Sequence, residues 1–215
     1  MALPAPLPPE TRTVGQLVAE SVRFYSRRFW PSLATGVGPA LLAIGAAPLN
    51  GFARIVFAVG AGSVLATASY VWASAIVAET PPRRALAIAF AGGLLAFLPV
   101  PFLATAFVLP AVLWLALVGL VVPVAVLEQL PLRAAFRRAV ELARADYVHA
   151  AGSLATLAIV VFLCQSVLFF LLRGAGAAAV AVAAFLANLV VSPLLFVGGA
   201  LLYFDQAARV RSKAR

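Results

Sequence analysis

Of 215 residues, 64% are hydrophobic and 11% charged, with a mean hydropathy of +1.07, far from the roughly 45–50% apolar and 25% charged of soluble domains. A soluble fold has nowhere to hide that much apolar surface. The formal charge of +9 sits in short basic clusters between apolar runs, not on the aromatic-interleaved surface of a nucleic-acid reader, so no nucleic-acid partner is expected.

Met1 to Glu10 is proline-rich and carries no basic residue, unlike the basic n-region of a secretory signal peptide. Residues 1–12 are therefore expected to be a flexible cytoplasmic tail, 13–205 a single transmembrane domain and 206–215 a basic cytoplasmic tail. Thr13 and Gln16 have the spacing of a capping box, which predicts a helix starting near Val14. Val14, Leu17, Val18, Tyr25 and Phe29 then share one face, with Arg23 and Arg27 opposite.

A bilayer core of about 30 Å needs roughly 20 apolar helical residues, because helices satisfy their backbone polar groups internally. Trp30 or Pro31 to about Leu49 meets that length, and so does Arg54 to about Ala78 beyond the Asn50-Gly51 turn. From Ala85 to Leu127 there is no charged residue. As one helix this run would reach about 65 Å, twice the hydrocarbon thickness. It is predicted to reverse near Thr105 to Pro110, with Pro99, Pro101 and Pro110 as kink or turn sites. Ala150 to Leu172 and Ala177 to about Phe204 complete the set, separated by Arg173-Gly174-Ala175-Gly176. The expected fold class is all-α, a polytopic membrane protein of about six transmembrane helices in three hairpins.

Two further stretches are too polar to insert and read as interfacial amphipathic helices. One is Val14 to Phe29. In the other, Pro131 suits the first helical turn, after which Leu132, Phe136, Ala139, Ala143 and Tyr147 share one face, while Arg133, Arg137, Glu141 and Arg144 share the other. Pro81 to Leu86 is a shorter version, so the chain can be read as one unit repeated three times.

Of the 16 lysines and arginines, this arrangement puts all but Arg54 and Arg173 on one side of the membrane. Positive charge resists translocation, so that side is expected to be cytoplasmic, with both termini on it. The exposed basic residues Arg23, Arg27, Arg133, Arg137 and Arg144 are candidates to face anionic lipid headgroups or a protein partner. Glu128 ends the fourth span, where the helix dipole disfavours a carboxylate. A guanidinium is expected to compensate it, with Arg138 as the structural ion-pair partner.

Little in the sequence offers chemistry. Cys164 is the only cysteine and His149 the only histidine, so neither a disulfide nor a metal or cofactor site is expected. His149 is read as a headgroup-level polar residue. Every acid falls on the expected cytoplasmic side, leaving no carboxylate near the midplane to couple an ion. The intramembrane polar residues are uncharged: Ser63, Thr67, Ser69, Ser74, Thr105, Gln165, Ser166, Asn188 and Ser192. They read as helix-helix hydrogen bonds, with Gln165 and Asn188 the largest. The intramembrane prolines read as tolerated kinks, or as broken helices around a substrate site.

The run LPAVLWLALVGLVVPVAVLEQ, with Pro110, Pro123 and Glu128 at matching spacing, resembles the bacterial membrane-domain family named after glycerophosphoryl diester phosphodiesterases. Ala135, Arg138 and Leu142 resemble its following amphipathic segment, Phe24 to Phe29 its aromatic-basic element and Leu202 to Asp205 its terminal aromatic-Asp. Ala111 and Gln129 stand where the family usually has glycine, and Leu117 where it often has a polar residue. The resemblance implies a bacterial inner-membrane domain without the catalytic barrel. The sequence thus predicts a non-enzymatic membrane domain that scaffolds a partner, forms a homo-oligomer or organises anionic lipid. The alternative is a small-solute transporter or channel lined by the uncharged polar residues.

Overall fold

The computed structural model describes residues 8–105, 107–172, 174 and 176–213. Arg173 and Arg215, counted on opposite sides in the sequence, lie outside them. The described chain is helical with no strand, and six helical segments are long and apolar enough to cross a bilayer. It is an all-α, multi-pass membrane protein.

Helix α1 spans Val14–Arg27 and starts from the capping box, in which the Thr13 N–H donates to Gln16 Oε1 at 2.8 Å and the Gln16 N–H to Thr13 Oγ1 at 3.4 Å. The first crossing is α2 (Phe29–Ala34) plus α3 (Val37–Ala46). The second is α4 (Gly51–Phe57), a π-helical turn Ala58–Gly62 and α5 (Ser63–Ala78). The third is α6 (Arg83–Phe97) plus α7 (Val100–Leu103), and the fourth is α8 (Val108–Val118) plus α9 (Val121–Leu127). Helix α10 (Leu132–Ala145) leads into the uninterrupted fifth crossing, α11 (Tyr147–Leu172). The sixth is α12 (Ala177–Val191) plus α13 (Pro193–Lys213).

The centre is α9, where every residue from Val121 to Val126 is buried, together with the inner stretch of α13 from Phe196 to Leu202. Ala85, Ala89, Gly92, Gly93 and Ala96 are the buried positions of α6, and they let it pack closely against α9 and α5. Side chains that turn outward, such as Phe162, Phe169 and Phe170 of α11, remain exposed, as lipid-facing residues do.

Four expectations need correcting. The third crossing ends at Leu103 and the fourth starts at Val108, so Pro110 lies within α8 and not in the turn. Pro131 is the residue before α10, at φ −64 and ψ 155, not part of its first turn. The basic tail predicted from Gln206 is helix as far as Lys213, and Gln206, Ala207 and Ala208 are buried. In the tail predicted for 1–12, Pro9–Thr11 forms a 3-10 turn and Arg12 is docked on α13.

Candidate functional site

The segments before the first crossing, between the second and third, between the fourth and fifth, and after the sixth meet at one end of the bundle. Ion pairs join them. Arg28 Nη2 lies 2.6 Å from Glu79 Oε1, and its Nη1 donates to Ile76 O at 3.3 Å. Arg12 Nη1 lies 2.8 Å from Asp205 Oδ1, and Arg209 Nη1 lies 2.7 Å from Asp146 Oδ2. Arg209 Nη2 also donates to Arg12 O at 2.8 Å, while Lys213 donates to Ala145 O.

Asp146 serves twice, because its Oδ1 accepts the His149 N–H at 3.0 Å and so caps the first turn of α11. That turn carries His149 inward. Its Nε2 is 3.7 Å from Oδ2 of the fully buried Asp205, so the ring turns into the basic end of the bundle and not outward. His149 Nε2, Asp205 Oδ2, Gln206 Oε1 and Arg209 Nε are all buried without a hydrogen-bond partner among the described residues.

Glu128 forms the second cluster. Arg138 Nε donates to its two oxygens at 3.2 and 3.3 Å, and Tyr203 Oη donates to Oε1 at 2.9 Å. Arg138 Nη1 also reaches Glu141 Oε1 at 2.9 Å. Burial penalises the Arg138 cation, but hydrogen bonds to Glu141 and Glu128, and their charges, outweigh this and raise its pKa. Through these bonds the fourth crossing, α10 and α13 are tied at one point.

Helix α10 lies with Ala135, Ala139, Leu142 and Ala143 buried. The inward face is therefore rotated from the expected one, and Phe136 and Tyr147 are only partly covered. Arg133, Arg137 and Arg144 point outward and are exposed. Arg137 and Arg144 border a shallow depression with Phe136, Val140 and Glu141. On α1 the buried positions are Leu17 and Ser21. Arg23 lies 3.5 Å from Glu20, while Arg27 is exposed, as are Arg83 and Arg84 at the start of α6.

The intramembrane polar residues do not converge on one cavity. Gln165 Nε2 donates to Asn188 Oδ1 at 3.0 Å, joining α11 to α12, and Ser192 Oγ reaches the same oxygen at 3.4 Å. Ser63 Oγ donates to Phe97 O at 3.3 Å, a carbonyl that Pro101 has no N–H to engage. Trp114 Nε1 supports the same kink through Ala96 O at 2.8 Å. The carbonyl freed by Pro101 is thus re-satisfied by a neighbouring helix. A cavity of about 200 Å³ between α5, α7, α8, α11 and α13 has apolar walls apart from Tyr70.

Among the described residues no cluster of three or more His, Cys, Asp and Glu side chains could hold a metal ion. No family model matches the chain, and neither a curated protein nor a solved structure matches it.

Sequence reasoning missed the inward placement of His149, Asp205 and Arg12. The available signal was Asp146, an N-cap residue type immediately before the apolar run, which sets where His149 points.

Proposed function

We propose that this chain is a non-enzymatic domain of the bacterial inner membrane, with both termini in the cytoplasm, that gathers anionic lipid headgroups on its basic end. The observation that carries the reading is the division of labour on α10. Arg138 is consumed by Glu128 and Glu141, whereas Arg133, Arg137 and Arg144 make no ion pair among the described residues and face outward. Guanidinium groups suit phosphate because they present several donors in a fixed fork. Phe136 and Val140 beside them are partly exposed and offer apolar contact to the first carbons of an acyl chain.

Kinship with the membrane-domain family named after glycerophosphoryl diester phosphodiesterases belongs to the same proposal. It is supported by the inward placement of Ala135 and Leu142 and by the Arg138 contact with Glu128. The small-solute channel is the weaker reading, because Gln165, Asn188, Ser63 and Ser192 spend their polar groups on one another and on a carbonyl.

The test is lipid retention in native mass spectrometry after extraction in mild detergent. Each basic residue near a charged surface contributes about 1 kcal/mol. Reversing Arg133, Arg137 and Arg144 together to Glu should therefore weaken phosphatidylglycerol binding by roughly two orders of magnitude. Unchanged retention would sink the proposal.

A further inference from the structure

Two crossings are interrupted where they pass the apolar cavity. The third breaks between Phe97 and Val100, at Pro99, and the fourth breaks at Gly119-Leu120. Phe97, Val100, Gly119 and Leu120 all line the cavity. Each break falls four positions before a proline, Pro101 after Phe97 and Pro123 after Gly119, which cannot supply the helical N–H to that carbonyl. Both open the wall of the same space.

Tyr70 of α5 is the polar member of that wall. Its ring packs edge-on to Phe97 at 6.0 Å and lies 6.2 Å from Phe196. Gly199 makes the room, since a Cβ there would come within 3.1 Å of Tyr70 Oη. Tyr70 is 6% exposed, and none of the hydrogen bonds among the described residues uses its hydroxyl. Buried phenols ordinarily find an acceptor. Here the hydroxyl lies at the cavity with no protein acceptor engaged.

We propose that the cavity binds an uncharged, ring-sized lipophilic molecule bearing a carbonyl, with Tyr70 Oη donating to that carbonyl. The volume, about 200 Å³, exceeds the roughly 150 Å³ of an apolar cavity that takes benzene, so one substituted ring fits. Apolar walls exclude a charged or multiply polar solute, because its other polar groups would go unsatisfied. Depth excludes the ester group of an ordinary phospholipid. Tyr70 lies about 12 Å along the helix from Ala78 at the basic end, close to the middle of a hydrocarbon layer about 30 Å thick. A carbonyl carried on a lipophilic ring, as in the quinone class, reaches that depth without dragging a headgroup behind it.

Acetophenone is a suitable probe, being a one-ring lipophilic aryl ketone whose excited carbonyl abstracts hydrogen from nearby C–H bonds and crosslinks on irradiation. With the full chain in phosphatidylglycerol-containing nanodiscs, labelling mapped by mass spectrometry should saturate and fall on lining residues such as Val112, Ala158 and Leu195. Tyr70→Phe keeps the ring and should raise the half-saturating concentration roughly five-fold, the worth of one neutral hydrogen bond. Ala158→Phe fills the space and should abolish labelling there. Labelling that rises linearly with probe and spreads over the outward Phe162 and Phe169 overturns the proposal, as does an unchanged half-saturation in Tyr70→Phe.

Discussion

Arg12 and Asp205 are 193 positions apart in the chain and their side chains meet at 2.8 Å. Asp205 is fully buried and Arg12 is 13% exposed, so the contact is an internal ion pair that fastens the start of the chain to the last helix. His149 approaches the second carboxylate oxygen at 3.7 Å, and Arg209 holds the Arg12 carbonyl.

Breaking a buried pair from one side leaves the other charge uncompensated, at about 3–5 kcal/mol. Arg12→Ala and Asp205→Ala should each lower stability by that order in denaturant titrations in detergent. Arg12→Leu combined with Asp205→Leu should recover most of the loss, since an apolar pair of similar bulk is often neutral. Single variants within about 0.5 kcal/mol of the parent would show that the N-terminal segment is not fastened there.

Glu128 receives Arg138 and Tyr203 together, but both members of the ion pair keep about a quarter of their side-chain exposure, 23% and 26%. Solvent screening therefore reduces the worth of the pair. Glu128→Gln should cost about 1–2 kcal/mol, with Glu128→Ala costing more and Tyr203→Phe about 1 kcal/mol. Melting curves for all three that overlay the parent would leave Glu128 without a structural role.

The residue after Glu128 sits under backbone strain. Gln129 has φ +53, in the left-handed region that costs a residue with a Cβ about 1–2 kcal/mol. Its side chain is exposed, so nothing is lost by removing it. Glycine relieves the strain but adds about 0.5–1 kcal/mol of unfolded-state entropy. Gln129→Gly should therefore raise stability by about 0.5–1 kcal/mol, and Gln129→Val should lower it. The reverse order would contradict the turn.

How much of this was legible depended on which signal each residue carried. Span number followed from length alone, and Thr13 with Gln16 marked the start of α1. The breaks at Pro99 and Pro193 were foreshadowed by residues that cannot donate. The break at Gly119 was foreshadowed in the same way, by Pro123 four positions on, which cannot engage the Gly119 carbonyl. The face of α10 was misread by weighting Phe136 and Tyr147 for hydrophobicity. Packing instead added Ala135 and Leu142 to the expected Ala139 and Ala143, and that rotation turns Arg138 toward Glu128. The buried state of Asp205 was hidden, because a carboxylate near a chain end reads as solvated until its partner is known.

Sidedness is open to direct measurement. Reporter fusions after Glu79 and Gln129 should report cytoplasm, and fusions near Gly51 and Gly174 the opposite compartment, as the basic residues flanking the first pair resist export. An external signal after Gln129 would invert the orientation, and with it the leaflet whose lipids the arginines of α10 would meet.

The last prediction concerns the attachment of α12. Helix α12 packs against α3, and the approach is tightest at Gly36, where a Cβ would fall 2.0 Å from Leu189 O and 2.7 Å from Leu189 C. Both are backbone atoms, so no rotamer change can make room. Leu189 O is free to come this close because the residue four positions on is Pro193, which has no N–H to engage it. Gly36→Ala must therefore push the first and sixth crossings apart along their whole contact, and it should cost at least the roughly 1–3 kcal/mol of an overpacked core. Gly15 is the control. It lies in α1, and a Cβ there would meet nothing within 4 Å. Gly15→Ala should therefore leave stability unchanged or raise it by up to about 1 kcal/mol through helix propensity alone. Melting temperatures in detergent should move in opposite directions for these two identical substitutions. A Gly36→Ala curve that overlays the parent would mean that α12 does not rest on α3.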